Sequence, residues 1–176
     1  RDIGVTGVQT CALPISPEPT LVVPPGVVRP GLRGGVHYLA ATVPPAHVTH
    51  LPDGLVLTSP LRAAVDVVRL LRLPRRLGIA TMNAGLRAHL AVAHDIALDD
   101  SGAITEYAQD VTERIRCVEE LRGVIDECPH WGLDSVRRCL PHLDPRLETA
   151  LESLSWARFI EARISLPTPQ IGRAHV

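Results

Sequence analysis

The last six residues, Ile171-Gly172-Arg173-Ala174-His175-Val176, can be encoded by ATC GGA AGA GCA CAC GTC. The reverse complement of that DNA, read one base out of frame, encodes Thr10-Cys11-Ala12-Leu13-Pro14-Ile15 near the other end. Two strands of one oligonucleotide therefore bracket the chain. It looks like a sequencing-library adapter, and Val5 to Ile15 reads as more of its opposite strand. Translated adapter has no history of folding and is set apart as a fusion scar would be. Residues 1–15 and 171–176 are thus expected to be adapter-derived. The foldable body is expected to run from Ser16 to Gln170, as an internal piece of a longer reading frame.

A body of this length can bury the core of one domain, or of one and part of another. Aromatic residues make up only 3% of the chain, so Leu, Val, Ile and Ala must supply the apolar area. A fully buried Leu, Val or Ile contributes roughly 1.5–3 kcal/mol. All 18 basic residues are arginine. The lack of lysine excludes a P-loop lysine, a kinase lysine, a Schiff base and a lysine-dependent nuclease site within the chain. A net charge of −1 provides no general field for polyanions or acidic lipid. With Cys11 in the adapter, Cys117, Cys128 and Cys139 remain. Three unclustered cysteines fit neither a disulfide framework nor a zinc ribbon, and inert reduced thiols are expected. No run of about 18 apolar residues occurs, so no membrane partner is expected and the location is read as cytoplasmic.

Short β-branched runs between Pro and Gly predict strands at Thr20–Val23, Val36–Ala41, His47–Leu51 and Leu55–Leu57, with a turn at Pro52-Asp53-Gly54. Thr58-Ser59-Pro60 then gives a capping hydroxyl followed by proline at the first helical position. Leu61, Ala64, Val65, Val68 and Leu71 form a buried stripe on that helix, with Arg62, Asp66 and Arg69 on another face. Further helices are predicted over Arg75–Arg87, Ile104–Glu127, Leu133–Leu140 and Arg146–Ile164, the last capped by Asp144. The stripe of the third is Ile104, Ala108, Val111, Ile115, Val118, Leu121 and Ile125. This pattern predicts an α+β chain, a small mixed sheet followed by a mostly helical half.

No arrangement of residues declares an activity. His47-x-x-His50 falls on opposite faces of a strand and lacks a third ligand, so no metal is expected there. Arg69, Arg72, Arg75 and Arg76 form the densest basic cluster. Phosphate contact is open to them, but without a nearby aromatic for base stacking a solvated, carboxylate-paired face is expected. Arg62 and Asp66, spaced i, i+4, are expected to have a fixed structural role. Glu148 and Glu152 share a helical face with Ser155 and Phe159, opposite a stripe of Leu147, Ala150, Leu151, Leu154 and Ala157. Ordinary exposure is the simpler reading of both carboxylates, and a metal-facing role for one is the alternative.

Two stretches resemble known families. Pro44 to Thr49 and Asp53 to Asp66, with Thr58-Ser59-Pro60, Arg62 and Asp66, resemble the region after the winged helix in actinobacterial AbiEi-type antitoxins. Ala63 stands where threonine is usual. Asp144-Pro145-Arg146-Leu147-Glu148-Thr149-Ala150-Leu151-Glu152-Ser153 is similar to the entry of a Vsr-like, restriction-endonuclease-fold domain often fused to that region, with Thr149 where serine is usual. The resemblance implies an antitoxin-like α/β region over 16–100, a helical connector over 101–143 and the first helix of the nuclease-like domain over 144–170, truncated before its sheet. It implies that the parent binds operator DNA through a winged helix outside this chain, and that a toxin gene product is its genetic partner. Glu152 matches the glutamate that helps position a metal-bound water in such nuclease folds. The remaining acidic ligands and the lysine would lie downstream, so a divalent metal, magnesium, belongs to the intact parent and no cofactor to this chain. Three functions stay open: a non-catalytic part of an antitoxin and transcriptional regulator of a type IV toxin–antitoxin system, a piece of a metal-dependent DNA endonuclease, or an interaction domain.

Overall fold

Ser59 and Pro60 start the helix on which the rest is assembled. In the computed structural model, which describes residues 6–8, 20–50, 54, 56–96, 106–129, 131–167 and 169, helix α1 spans Pro60–Leu70. The Ser59 hydroxyl accepts from the Arg62 N–H at 3.4 Å, and Pro60 occupies the first turn. Helix α2 spans Arg75–Ala93, α3 Val111–Asp126, α4 Leu133–Arg137 and α5 Ala150–Glu161. The strands are β1 (Thr6–Val8), β2 (Thr20–Val23), β3 (Gly31–Arg33), β4 (Val36–Ala40), β5 (Val48–His50) and β6 (Val56–Thr58), in the order β3-β4-β2-β1-β6-β5. Pairings β2–β4 and β1–β6 are parallel, the others antiparallel, so the sheet is mixed and the fold is α+β.

Helix α1 lies between the two halves. Its Ala63 and Leu70, with Leu71 just beyond, pack on Val22, Leu39 and Ala41 of the sheet side. Leu61, Val65 and Val68 join a larger core with Ile79, Met82, Leu86 and Leu90 of α2, Cys117, Leu121 and Ile125 of α3, Leu133 and Val136 of α4, and Trp156 and Ala157 of α5. Apolar positions therefore face both sides of α1, as expected of a helix with no solvent face. The larger core draws on elements from α1 through α5, so the antitoxin-like, connector and nuclease-like stretches share one interior. Helix α2 crosses α1 where both carry small residues. A Cβ on Gly85 would lie 2.5 Å from Ala64 Cβ and 3.2 Å from the Pro60 carbonyl oxygen.

Several expectations are corrected. β3 forms where a loop was expected, because Gly34 and Gly35 adopt φ of +55° and +76° and turn the chain back onto β4. Helix α2 continues past Arg87 to Ala93. Residues 106–109 are helical too, but the run breaks at Asp110, and helix α3 starts afresh at Val111, where the Asp110 carboxylate accepts from the N–H groups of Thr112 and Glu113. That restart turns Val111 and Ile115 outward, and the buried face becomes Cys117, Leu121, Val124 and Ile125. Helix α5 begins at Ala150, not Arg146, and its Leu151 is exposed. Leu51, Pro52, Asp53, Leu55 and Ile104 lie outside the described residues. β1 falls in the stretch read as adapter, between the open edges of β2 and β6. Backbone ladders are indifferent to sequence, and Thr6-Gly7-Val8 pairs with both neighbours through its backbone.

Alanine in a helix interior normally improves on glycine by about 1 kcal/mol. Here Gly85→Ala is expected to destabilise by about 1–3 kcal/mol through overpacking at the α1–α2 crossing. The midpoint of urea unfolding measures the sign.

Candidate functional site

Of the residues singled out in the antitoxin resemblance, Thr58, Arg62 and Asp66 are buried, and Arg69 is buried beside them. Arg62 is 0% exposed, Asp66 1% and Arg69 2%. Spaced i, i+4, i+7, they line one face of α1. Asp66 Oδ2 accepts from Arg62 Nε at 2.8 Å, and Asp66 Oδ1 accepts from Arg69 Nη2 at 2.7 Å. Arg62 Nη2 also donates to the Thr42 carbonyl oxygen at 3.0 Å, which ties the segment after β4 to α1. Gly132 seats against the other end of the triad. Its φ is +77°, and a Cβ there would lie 2.7 Å from both the Cγ and the carbonyl oxygen of Arg69. Cys128, just past α3, lies within the field of all three charged groups. Thr58 is buried at the end of β6, while Ser59 and Pro60 act as the helix start. Arg62 and Asp66 form a buried i, i+4 ion pair on α1. Arg69 was expected on a solvated face and is instead inside.

Outside this triad, His47 Nε2 meets Glu127 Oε2 at 2.9 Å, bridging the turn before β5 to the end of α3. Two similar pairs, His89–Glu120 at 2.5 Å and His94–Glu113 at 3.2 Å, join α2 to α3. The three glutamates recur every seven residues and so occupy one edge of α3. His50, the other half of His47-x-x-His50, is exposed in β5.

Glu152 is taken up by its own helix. Its Oε2 accepts from the N–H of Glu148 at 2.6 Å and of Thr149 at 3.0 Å, and its N–H donates to Thr149 Oγ1 at 3.1 Å. This is a capping box, with Thr149 as N-cap and Glu152 at the third helical position. Glu148 lies ahead of the helix, so the expected like-charge pair on one face is replaced by a backbone N–H donating to a carboxylate. Asp144, expected as N-cap, instead grips Arg146 with both oxygens at 2.6–3.1 Å. Its own N–H donates to Asn83 Oδ1 at 2.9 Å, while Asn83 Nδ2 donates to Ser153 Oγ at 3.3 Å. Both motif stretches are thus built into the fold at different places. Arg62 and Asp66 lie inside on α1, and Glu152 lines a shallow groove with Leu151, Phe159 and Pro167. No group of three or more metal-ligating side chains gathers among the described residues.

The remaining arginines do what the sequence did not show. Arg72 lies with its guanidinium 5.4 Å from the centroid of the Trp131 ring, an aromatic far away in the chain. Trp131 remains 54% exposed. Arg75 donates to His142 Nε2 in a short contact. Burial and the Arg75 charge both push the His142 imidazole down, which favours the neutral, accepting form. Arg75 and Arg138 also share the neighbourhood of Cys139. The expectation that no aromatic stands near this cluster is corrected, because the turn before α4 brings one.

No family model, curated protein or solved structure matches the chain.

Cys117, Cys128 and Cys139 are free and buried. Burial pushes the Cys117 thiol up to about 12 and the Cys139 thiol up to about 11, from 9.0. Only the thiolate reacts, so labelling near pH 8 is expected to be slow in the folded chain and fast in urea. The unfolded thiols lose protons first, so this contribution to stability is full below about pH 9 and is lost as the pH climbs through 11 to 12. Denaturation midpoints across that range measure it. Asp66→Ala would leave two buried guanidiniums facing each other without a counter-charge. A loss of about 3–5 kcal/mol is expected in urea unfolding.

Proposed function

We propose that the chain is a non-catalytic part of a bacterial regulator resembling AbiEi-type antitoxins of type IV toxin–antitoxin systems. In this reading the parent binds operator DNA through a winged helix, and the toxin is its genetic partner. The observation that carries the non-catalytic half is the position of the Glu152 carboxylate. An activated water needs a metal held by several oxygens converging from different elements, whereas this carboxylate serves the N–H groups of Glu148 and Thr149. The regulator half is supported by the antitoxin-like motif. Thr58, Ser59, Pro60, Arg62 and Asp66 act together as one structural joint between sheet and helices, a role that suits a scaffold. No helix among the described residues is long and apolar enough to cross a membrane, which suits a DNA-linked protein.

The chain is expected to leave supercoiled plasmid intact in magnesium, measured by gel nicking assay. Cleavage that disappears in Glu152→Ala would replace this reading with the endonuclease. A toxin gene beside the parent's own gene is the matching genetic expectation, and its absence there counts against regulation.

A further inference from the structure

We propose that the exposed face bearing Arg72, Trp131, Arg75, Arg76 and Arg138 binds single-stranded nucleic acid, with a base stacked on the Trp131 indole and guanidiniums on the flanking phosphates. This surface lies within the described residues and needs no winged helix, so it stands apart from the regulator reading.

Charge complementarity comes first. The stretch Arg69 to Arg76 holds no acidic residue. Arg69 is buried on Asp66, which leaves the guanidiniums of Arg72 and Arg75 exposed and that of Arg76 partly so. Arg138, the C-cap of α4, is exposed and donates to Ser135 Oγ at 3.4 Å, and its charge and that of Arg75 both reach Cys139. A partner carrying a regular run of negative charge fits this face, and a phosphate backbone is one.

Trp131 narrows the choice. The Arg72 guanidinium lies over its ring, yet the side chain is 54% exposed, so much of the indole stays open. A base on the open side would complete a guanidinium–indole–base stack, the usual aromatic platform for unpaired bases. A duplex keeps its base faces covered and gains little from such a platform. Acidic peptides satisfy the arginines but leave the indole unused.

The helix end fixes where Arg72 points. Arg72 has φ +49° just after the C-cap of α1, while the Leu73 N–H donates to the Val68 carbonyl oxygen at 3.2 Å. Glycine is the favoured residue at that position of a helix end. An arginine held there against its backbone preference directs its side chain onto Trp131. The same left-handed helix end recurs at Asp95 (φ +53°) and Arg163 (φ +55°), so at Arg72 it aims the side chain and is not in itself the mark of a site.

The test titrates the full 176-residue chain with a short fluorescein-labelled oligothymidylate, reading anisotropy and tryptophan emission. Binding at low salt with quenching of Trp131 is expected, and Trp156, 8% exposed, serves as the internal reference. Trp131→Ala should weaken binding by about 5- to 100-fold. Arg75→Gln with Arg76→Gln should reduce the slope of log affinity against log salt by about 0.7 per arginine. Arg72→Gly separates binding from folding, because glycine suits that backbone: Tm should hold or rise while binding weakens. The proposal is overturned if the oligothymidylate does not bind at low salt or if Trp131→Ala binds it as the parent chain does. Equally tight binding of a duplex of the same length, or of polyglutamate, overturns it as well.

Discussion

One carboxylate organises the interior. Asp66 receives a guanidinium N–H from Arg62 on one oxygen and from Arg69 on the other. Each arginine in turn reaches a different part of the chain, Arg62 the carbonyl of Thr42 and Arg69 the glycine turn ahead of α4. Burying three charges is unfavourable unless their hydrogen bonds are met within the fold. The fold meets this demand in part: Asp66 and the Thr42 carbonyl take three of the guanidinium N–H groups, while Arg62 Nη1 and Arg69 Nε are buried without a partner. The apolar contacts around Val65 and Val68 provide most of the cohesion. The ionic triad lies on the same helix and ties it to the segment after β4.

Much of this layout is legible in the chain because it is local. Ser59-Pro60 fixes the start of α1, and the strands Thr20–Val23 and Val36–Ala40 stand out as β-branched or apolar runs between prolines and glycines. The illegible parts depend on distant partners. Arg69 reads as part of a solvated basic face until Asp66 and Gly132 close over it. Asp144 before Pro145 has the form of a helix cap, but Arg146 beside it offers a charged fork, and Thr149 with Glu152 makes a better box five residues later. The spacing Thr-x-x-Glu was there to be read, and it gives Glu152 a role that asks nothing of a metal.

The neighbourhood of Arg72 illustrates the same limit on a surface. An arginine-rich turn without aromatics nearby reads as ordinary solvated charge. Trp131 enters only because α3 runs back along α1 and α2 and delivers its far end beside that turn. Long-range packing, and not the local run of charges, creates the juxtaposition.

The shared interior also governs where the chain can be divided. Asn83 lies in the middle of α2 and satisfies its amide with the N–H of Asp144 and the hydroxyl of Ser153, while Trp156 donates to the carbonyl of His142 at 3.1 Å. A cut in front of Asp144 would strip α2 of its outer cover and strand a polar amide in an apolar wall. The natural seam of this polypeptide is therefore not where its two familiar-looking motifs meet, and any dissection that respects packing keeps α5 with α2.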